Sequence, residues 1–413
     1  MIYTKRFENG LRLIINKMDY LMSVTAGAIV KTGSYNETES ENGISHFIEH
    51  TLFKGTKKRT AFEISDHIDR IGAQINAFTS KELTCYYTKS TSDHLEDALD
   101  VLSDIFFDSV FDKDELEKEK GVVIEEINMC DDTPEDLLLD LLAQSYYGKD
   151  GLGRPILGPA KNVRGFTEKD IRAYMDKYYT ADNVVISIAG NLDVDKTVGL
   201  VERLFATKFH TGKSAPQTLT KSTVRQNLHK YKKIEQAHIG VAMEGLPINH
   251  PSVDAYSIAN TVLGGGMSSR LFQKIREELG LAYSVYSYPS SYKDNGVLEI
   301  YAGVNSASRD TAVSAIIDEV IRFKKDGVTE SEFVRGREQI KSAFVMGRES
   351  TASQMLLYGK YMIYNDIEFD FEKRLKDIDA LTLNKVNEVI TDYFNVEDSA
   401  FATVGAFKKS LKV

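Results

Sequence analysis

The sequence has few cysteines, fewer basic than acidic residues and no nucleotide-binding glycine pattern, and each shortage argues against a class of protein. Its 2 cysteines, Cys85 and Cys130, are not in CxxC spacing, so no disulfide framework is expected. Asp and Glu total 61 against 51 for Lys and Arg, and the net charge of −10 argues against nucleic-acid binding. The glycine run at 264–266 matches neither the dinucleotide nor the Walker pattern, and we interpret it as a loop.

Long apolar stretches are also missing. No run approaches the roughly 20 residues that a membrane span needs, and residues 1–7 lack the apolar core of a signal peptide. We therefore expect no membrane partner and a cytoplasmic location. A hydrophobic content of 42% with 27% charged residues is typical of a soluble globular protein. A chain of 413 residues is too long for one hydrophobic core and predicts two domains of about 200 residues each.

Two of the 8 histidines, His46 and His50, stand four residues apart in the pentapeptide His-Phe-Ile-Glu-His. On a helix this spacing puts both imidazoles on one face, with roughly 5–6 Å between Cβ atoms, so that they can bind one metal ion. Catalytic zinc takes three protein ligands and keeps a position open for water. Glu49, beside His50, could accept a proton from that water as a general base. This order of residues is the inverzincin pattern; the alternative is a helix with two surface histidines and an exposed glutamate.

The third ligand should be a carboxylate on another element. The segment 113–127 has the charge pattern of a helix, and Glu119 and Glu126, seven residues apart, fall on nearly the same face. Apolar neighbours surround Glu126, so we expect its turn to be buried, and a buried carboxylate needs a partner. The alternative is a solvated, highly charged helix.

With these residues in place, the sequence resembles the pitrilysin-type (M16) zinc peptidases over essentially its whole length. Within that family it is most similar to the short two-domain members related to the mitochondrial processing peptidase. Glu126 lies 76 positions after His50, which is where the family has its third zinc ligand. Glu119 matches the companion glutamate, which the resemblance implies is a supporting acid near the site rather than a ligand.

A second pattern lies in 268–288, where a serine-capped amphipathic helix is expected to end at Gly280 and a strand to begin near Ala282. Read locally, Arg276 is a helix-surface cation and Tyr283 a half-buried strand residue. The family pairs an arginine with a tyrosine seven residues later, as here. The resemblance implies that the two hold the substrate backbone and the developing oxyanion, a role in which fixed donors are effective.

Residues 73–80 and 83–88 alternate in the manner of a β-hairpin. An exposed edge strand can bind an extended peptide through main-chain hydrogen bonds. The family has Asn-Ala-aromatic-Thr at such an edge, matched by Asn76, Ala77, Phe78 and Thr79, which the resemblance implies bind substrate. An ordinary sheet hairpin is the alternative.

The chain also reads as one unit repeated. The strand at 23–30 and the helix at 41–53 resemble in pattern the strand at 237–243 and the helix at 251–263. Each is followed by a hairpin, then by an amphipathic and a charged helix, at 94–107 and 113–127 in one copy and at 309–323 and 330–345 in the other. We predict an α+β fold of two homologous domains, each a mostly antiparallel sheet with helices packed on one face. A polar linker at 207–218 puts the boundary near 215, giving a zinc-bearing domain at 1–215 and a second domain at 216–413.

Together these features predict a metalloendopeptidase with one Zn²⁺ per chain, acting on short or unfolded peptides. Longer relatives enclose a chamber between two such halves, so a chain of this length is expected to form a homodimer around one. Whether Arg276 and Tyr283 act in cis or in trans stays open, as does presequence processing against peptide clearance. One alternative is a non-catalytic peptide-binding or scaffold subunit of the same fold. Another is a heterodimer in which a different chain supplies the Arg/Tyr pair.

Overall fold

The computed structural model describes residues 1–149, 151–209, 214, 223–367 and 369–407. The strands are β1 (Ile2–Arg6), β2 (Arg12–Lys17), β3 (Ser23–Val30), β4 (Gln74–Thr79), β5 (Thr84–Thr91), β6 (Val184–Gly190), β7 (Asn227–Tyr231), β8 (Gln236–Glu244), β9 (Ala282–Ser291), β10 (Gly296–Asn305) and β11 (Ala400–Gly405). The helices are α1 (Ile44–Thr51), α2 (Ala61–Arg70), α3 (Leu95–Asp108), α4 (Lys113–Asp132), α5 (Pro134–Tyr147), α6 (Ala160–Gly165), α7 (Glu168–Tyr178), α8 (Val194–Val201), α9 (Val253–Gly264), α10 (Arg309–Asp326), α11 (Glu330–Met346), α12 (Thr351–Asn365), α13 (Phe371–Asp379) and α14 (Leu383–Tyr393).

The first of two compact units comprises Met1–Ile127, Pro155–Leu219 and Met346–Phe369. Its sheet has the strand order β1-β2-β6-β3-β5-β4 and is antiparallel except for the parallel pair β2 and β6. Alternate apolar residues of β3, such as Val24 and Ala26, face a core formed with α1, α3 and α7. The sheet is thus covered on one face by most of the unit's helices.

The opposite face of this sheet is covered by α12, which comes from the second half of the chain. Two glycines permit the close approach. A Cβ on Gly27 would lie 2.6 Å from Met355 Sδ, and one on Gly359 would lie 2.3 Å from Ile29 Cδ1 and 3.0 Å from Ser187 Cβ. Hydrogen bonds add to the packing, since the hydroxyls of Thr25 and Thr351 are 2.8 Å apart. The helix can therefore approach the sheet this closely only because each of them has a glycine, Gly359 and Gly27, where they cross.

The second unit comprises Asn128–Arg154, Thr220–Val345 and Asp370–Val413. Its sheet has the order β7-β11-β8-β10-β9, with β7 and β11 parallel. This order repeats that of the first sheet from β2 to β4, so the predicted repeat is visible in the topology. Helix α5, from the first half of the chain, packs on β8 and β11, where a Cβ on Gly240 would lie 3.0 Å from Leu142 Cδ2.

The predicted α+β fold with two mostly antiparallel sheets is confirmed. The helices predicted at 94–107, 113–127, 309–323 and 330–345 correspond to α3, α4, α10 and α11, and the hairpin of β4 and β5 pairs Thr79 with Thr84 as its last residues. Each unit combines stretches from both halves of the chain, an interleaving that the expected contiguous domains 1–215 and 216–413 do not include. Most of the predicted linker, with the boundary at 215, lies outside the described residues.

Among the described residues, none of the helices is both long enough and apolar enough to cross a bilayer. The expected location in the cytoplasm stays a prediction.

Candidate metal centre

The N-terminus of α1, the helix that carries both histidines, is fixed by a glycine and by a buried carboxylate. Gly43 precedes it with φ of 100°, and a Cβ at this position would lie 2.6 Å from Leu157 O. The buried carboxylate of Glu37 accepts hydrogen bonds from the N–H groups of Gly43 at 2.8 Å and Ser45 at 2.9 Å, and from the Asn42 side chain. A negative group at a helix N-terminus is favourable, because it satisfies free N–H groups and complements the helix dipole. Burial raises the pKa of Glu37, although these donors oppose the shift.

The three predicted ligands lie together in the first unit. Glu126 Oε2, on α4, is 3.6 Å from His46 Nε2 and 3.4 Å from His50 Nε2. One donor atom from each residue falls within 4.8 Å of the other two, and the described residues contain no other cluster of this kind. Ligand atoms about 2.0–2.1 Å from a tetrahedral zinc would be about 3.3–3.4 Å apart. The donor set and its spacing therefore fit zinc.

The two imidazoles differ in protonation. Burial, with a smaller contribution from His50, lowers the pKa of His46 to about 4, so this ring is neutral at neutral pH. Burial also acts to lower the pKa of His50, but hydrogen bonds to Glu119 and Glu126 outweigh it and raise that pKa to about 9. Without a metal, His50 thus carries a proton that a cation would have to displace, since a metal binds the neutral ring.

Glu119 lies beside the ligands but on the far side of His50. Its Oε1 is 2.8 Å from His50 Nδ1, and its Oε2 is 2.7 Å from Lys54 Nζ. The Glu119 side chain is 5% exposed, whereas that of Glu126 is 36% exposed. The expectation that the turn of Glu126 is buried is therefore only partly correct: Val123 is fully buried, but the helix turns the Glu126 carboxylate toward an open side.

Glu49 is held next to the predicted metal ligands by the edge strand. The Thr79 hydroxyl, at the end of β4, donates a hydrogen bond of 2.6 Å to Glu49 Oε2. Burial raises the pKa of Glu49, and the bond from Thr79 partly offsets this. A carboxylate with a raised pKa is suited to taking and returning a proton near neutral pH.

The predicted substrate strand leads to this glutamate. Strand β4 is at the edge of the first sheet and pairs with β5 alone among the described residues. Asn76 is exposed, and Ala77, Phe78 and Thr79 are half-buried. The free edge of β4 can therefore accept another strand, and its last residue touches the predicted general base. Whether a peptide binds there stays a prediction.

Arg276 and Tyr283 lie together in the second unit. The guanidinium carbon of Arg276 is 5.2 Å from the centre of the Tyr283 ring and 4.7 Å from that of Phe272. Tyr283 is the second residue of the edge strand β9 and is 79% exposed. The segment Phe272–Glu278 is a π-helical turn rather than the expected amphipathic helix. π-helical turns are rare overall, but those that occur are often at functional sites. A short apolar pattern does not reveal the extra residue in such a turn.

Comparison with known families identifies the relatives of this chain. Residues 13–160 match the family model described as "Insulinase (Peptidase family M16)", and residues 165–340 match "Peptidase M16 inactive domain". A protein of Bacillus subtilis called an uncharacterized zinc protease is 42% identical over 98% of both chains. The chain belongs to the M16 peptidase family. Another M16 relative, an uncharacterized zinc protease of Streptomyces coelicolor, is 36% identical over 97% of this chain and 88% of its own.

Solved structures share the M16 fold. A Pseudomonas fluorescens protein described as a peptidase M16 inactive domain superposes with a TM-score of 0.92 at 20% identity, covering 99% of each chain. A Helicobacter pylori protease gives 0.89 at 22% identity, covering 98% of this chain and 99% of its own. The match to the inactive-domain model covers Arg276 and Tyr283, whereas His46, His50 and Glu126 fall in the other.

Two residues at this M16 site were not predicted from the sequence. Glu37 caps α1, and Lys54 binds Glu119. An acid seven residues before the first residue of α1 was a usable signal for Glu37, since acids are favoured near helix N-termini. Lys54 carried no signal, because its partner is 65 positions away in sequence.

Proposed function

We propose that this chain is a zinc-dependent endopeptidase that hydrolyses short or unfolded peptides, with one Zn²⁺ per chain. The observation that carries the proposal is the convergence of His46, His50 and Glu126 within 4.8 Å, with Glu49 on the same helix as the histidines. The membership of the M16 family and the zinc-protease names of its relatives support it.

Zinc bound by these three ligands would polarise the scissile carbonyl and acidify a water molecule. Glu49 takes a proton from the attacking water and passes it to the leaving amine. Its raised pKa favours this exchange, and the bond from Thr79 holds one of its oxygens in place. The histidines need no proton-transfer role.

Substrate binding is proposed at the free edge of β4. An extended peptide would add to the sheet through main-chain hydrogen bonds along Asn76, Ala77, Phe78 and Thr79. Such binding depends little on side chains and requires an unfolded backbone. This supports a preference for short or unfolded peptides, and folded proteins are expected to resist cleavage.

We further propose that the active protein is a homodimer enclosing a chamber, and that Arg276 and Tyr283 of one chain serve the zinc site of the other. Both residues carry donors suited to the negative charge that develops on the carbonyl oxygen. The donor role is supported by their mutual contact and by the exposure of Tyr283, which leaves its hydroxyl accessible to a substrate.

The deciding experiment compares the wild type with Glu49→Gln, an isosteric change that removes the base but no metal ligand. Zinc content is measured by elemental analysis and cleavage with a mixed peptide pool. We expect equal zinc and a loss of about 10²–10⁴-fold in cleavage rate, the range that general acid-base groups contribute. Equal cleavage by both proteins would refute the assigned base. No cleavage by either, with peptides still bound, would favour the alternative of a non-catalytic peptide-binding or scaffold subunit.

A further inference from the structure

The turn after α1 contributes a residue to the metal centre that has no role in the proposed chemistry. Lys54 lies in this turn, and its N–H donates to Thr51 O at 3.1 Å. Its Nζ is 2.7 Å from Glu119 Oε2, while Glu119 Oε1 is 2.8 Å from His50 Nδ1. One carboxylate on α4 is thus bound by two groups from a single short stretch of chain, one of them a metal ligand.

This arrangement fixes the carboxylate. A buried carboxylate is costly unless its oxygens are paired, and Glu119 is 5% exposed. His50 engages one oxygen and Lys54 the other, so the plane of the carboxylate cannot rotate without breaking a charged hydrogen bond. Charge-assisted hydrogen bonds of this kind are roughly twice as strong as neutral ones.

The orientation of His50 depends on that carboxylate. In the neutral ring that binds a metal, an Nδ1–H that donates to Glu119 leaves the lone pair on Nε2, which lies 3.4 Å from Glu126 Oε2. A partner on the outer nitrogen is what selects the tautomer of a metal-binding histidine. If Glu119 turned away, the ring could rotate about its own bonds, and Glu119 could itself approach the cation as a competing ligand.

We propose that Lys54 is a positioning residue of the metal centre: by holding Glu119 it fixes the tautomer and orientation of His50, and so strengthens zinc binding. The inference rests on the proposed function, because it assumes that His46, His50 and Glu126 bind the metal. The competing interpretation is that the Lys54–Glu119 pair only joins α1 to α4 and affects stability alone.

The test measures zinc dissociation constants of the full chain by competition with a chelator. Lys54→Met removes the charge and keeps the aliphatic stem, Lys54→Gln is the substitute if that variant does not fold, and Lys54→Arg restores the charge. Lys57→Met is the matched control, because Lys57 lies in the same segment, is 72% exposed and is paired with Asp108 at 3.5 Å. We expect Lys54→Met to weaken zinc binding about 10–100-fold, the usual effect of losing an outer partner of a ligand. Lys54→Arg should recover most of this, and Lys57→Met should match the wild type.

Two further readouts separate positioning from stability. The visible absorption spectrum of the Co²⁺-loaded protein reports ligand geometry and should change in Lys54→Met. In a Glu119→Gln background, Lys54→Met should cost no more zinc affinity, because the lysine acts through that carboxylate.

Each contrary outcome has a distinct meaning. A wild type that binds no zinc overturns the proposed function and this inference together. If the wild type binds zinc and Lys54→Met binds it equally tightly, the inference alone is overturned. The same holds if Lys54→Met binds zinc more weakly but its cobalt spectrum is unchanged. An equal further loss in the Glu119→Gln background would also overturn it, since the lysine would then act by another route.

Discussion

The hydroxyl of Thr79 donates a hydrogen bond of 2.6 Å to Glu49 Oε2, which joins the edge strand β4 to the helix of the metal ligands. A peptide that pairs with β4 would therefore lie beside the group proposed to activate water. The same residue ends the strand and orients the carboxylate. In the proposed mechanism, this one side chain would couple peptide binding to proton transfer.

Replacing Thr79 by Val removes this bond without changing the shape of the side chain much. Because a small misplacement of a catalytic group can cost about 10²-fold, we expect kcat to fall roughly 10–100-fold with little change in KM. The bond lowers the pKa of Glu49, so its loss should also move the acidic limb of the rate profile to higher pH. Steady-state kinetics across a pH series measures both. Thr79→Ser keeps the hydroxyl and should behave like the wild type; a change confined to KM would contradict the orienting role.

Metal affinity should depend on pH through His50. Its pKa is raised to about 9, so below that value a proton must leave before the ring can bind a cation. His46, with a pKa of about 4, is already neutral at neutral pH. Zinc affinity should therefore rise by about tenfold per pH unit from neutral pH and level off above the pKa of His50.

Calorimetry in buffers of different ionisation enthalpy counts the protons released on zinc binding. We expect release of close to one proton per zinc at neutral pH. Glu119→Gln removes the partner that does most to raise the pKa of His50, so it should release fewer. Affinity that stays constant from neutral pH to the pKa of His50 would show that the ring is already neutral in the metal-free protein.

Mixed chains test whether the site is completed in trans. Glu49→Gln removes the base and Tyr283→Phe the proposed donor, so neither protein alone should cleave efficiently. In a two-fold dimer formed at random, half the dimers are mixed and each holds one intact site, so about a quarter of wild-type activity should return. Peptide cleavage after mixing, with mixed dimers verified by mass spectrometry, provides the measurement. If the pair acts in cis or belongs to a different chain, activity in those dimers should stay at the level of the separate variants.

Close packing of α12 on the first sheet predicts a large effect of Gly359→Val. A Cβ at this position lies 2.3 Å from Ile29 Cδ1 and 3.0 Å from Ser187 Cβ, and overpacking of this kind costs about 1–3 kcal/mol. Urea unfolding gives the free-energy change. Gly199→Val is the control, because Gly199 also lies in a helix but a Cβ there meets no atom within 4 Å. If the two variants had equal free energies of unfolding, α12 would have shifted to accommodate the added side chain without loss of stability.

The sequence predicted those parts of the molecule that depend on local pattern. The spacing of His46 and His50 defines a helical face, and the alternation around Asn76 defines a hairpin, whatever the surroundings. Glu126 required the family resemblance, since its segment contains several acids at helical spacing. The structure brings these residues together, while their roles stay predictions.

What the sequence did not predict depends on contacts between distant segments. No sequence signal indicated that α12 covers the first sheet, and Gly27 and Gly359, which permit that contact, are seen to face the partner element only in the structure. The partner of Lys54 is likewise set by the approach of α1 to α4. Apolar neighbours suggested a buried Glu126, whereas the helix instead buries Glu119, which lies about two turns earlier on nearly the same face.

Helix α12, from the second half of the chain, covers the first sheet, and α5, from the first half, covers the second sheet. This arrangement limits how the chain can be divided into fragments. A chain cut between the repeats would leave each fragment with one sheet face bare and one helix without a surface to cover. Either fragment produced alone should therefore aggregate or stay unfolded, and the two should recover structure only when refolded together. The smallest autonomous folding unit is therefore expected to comprise both repeats, even though all three proposed metal ligands lie in one of them.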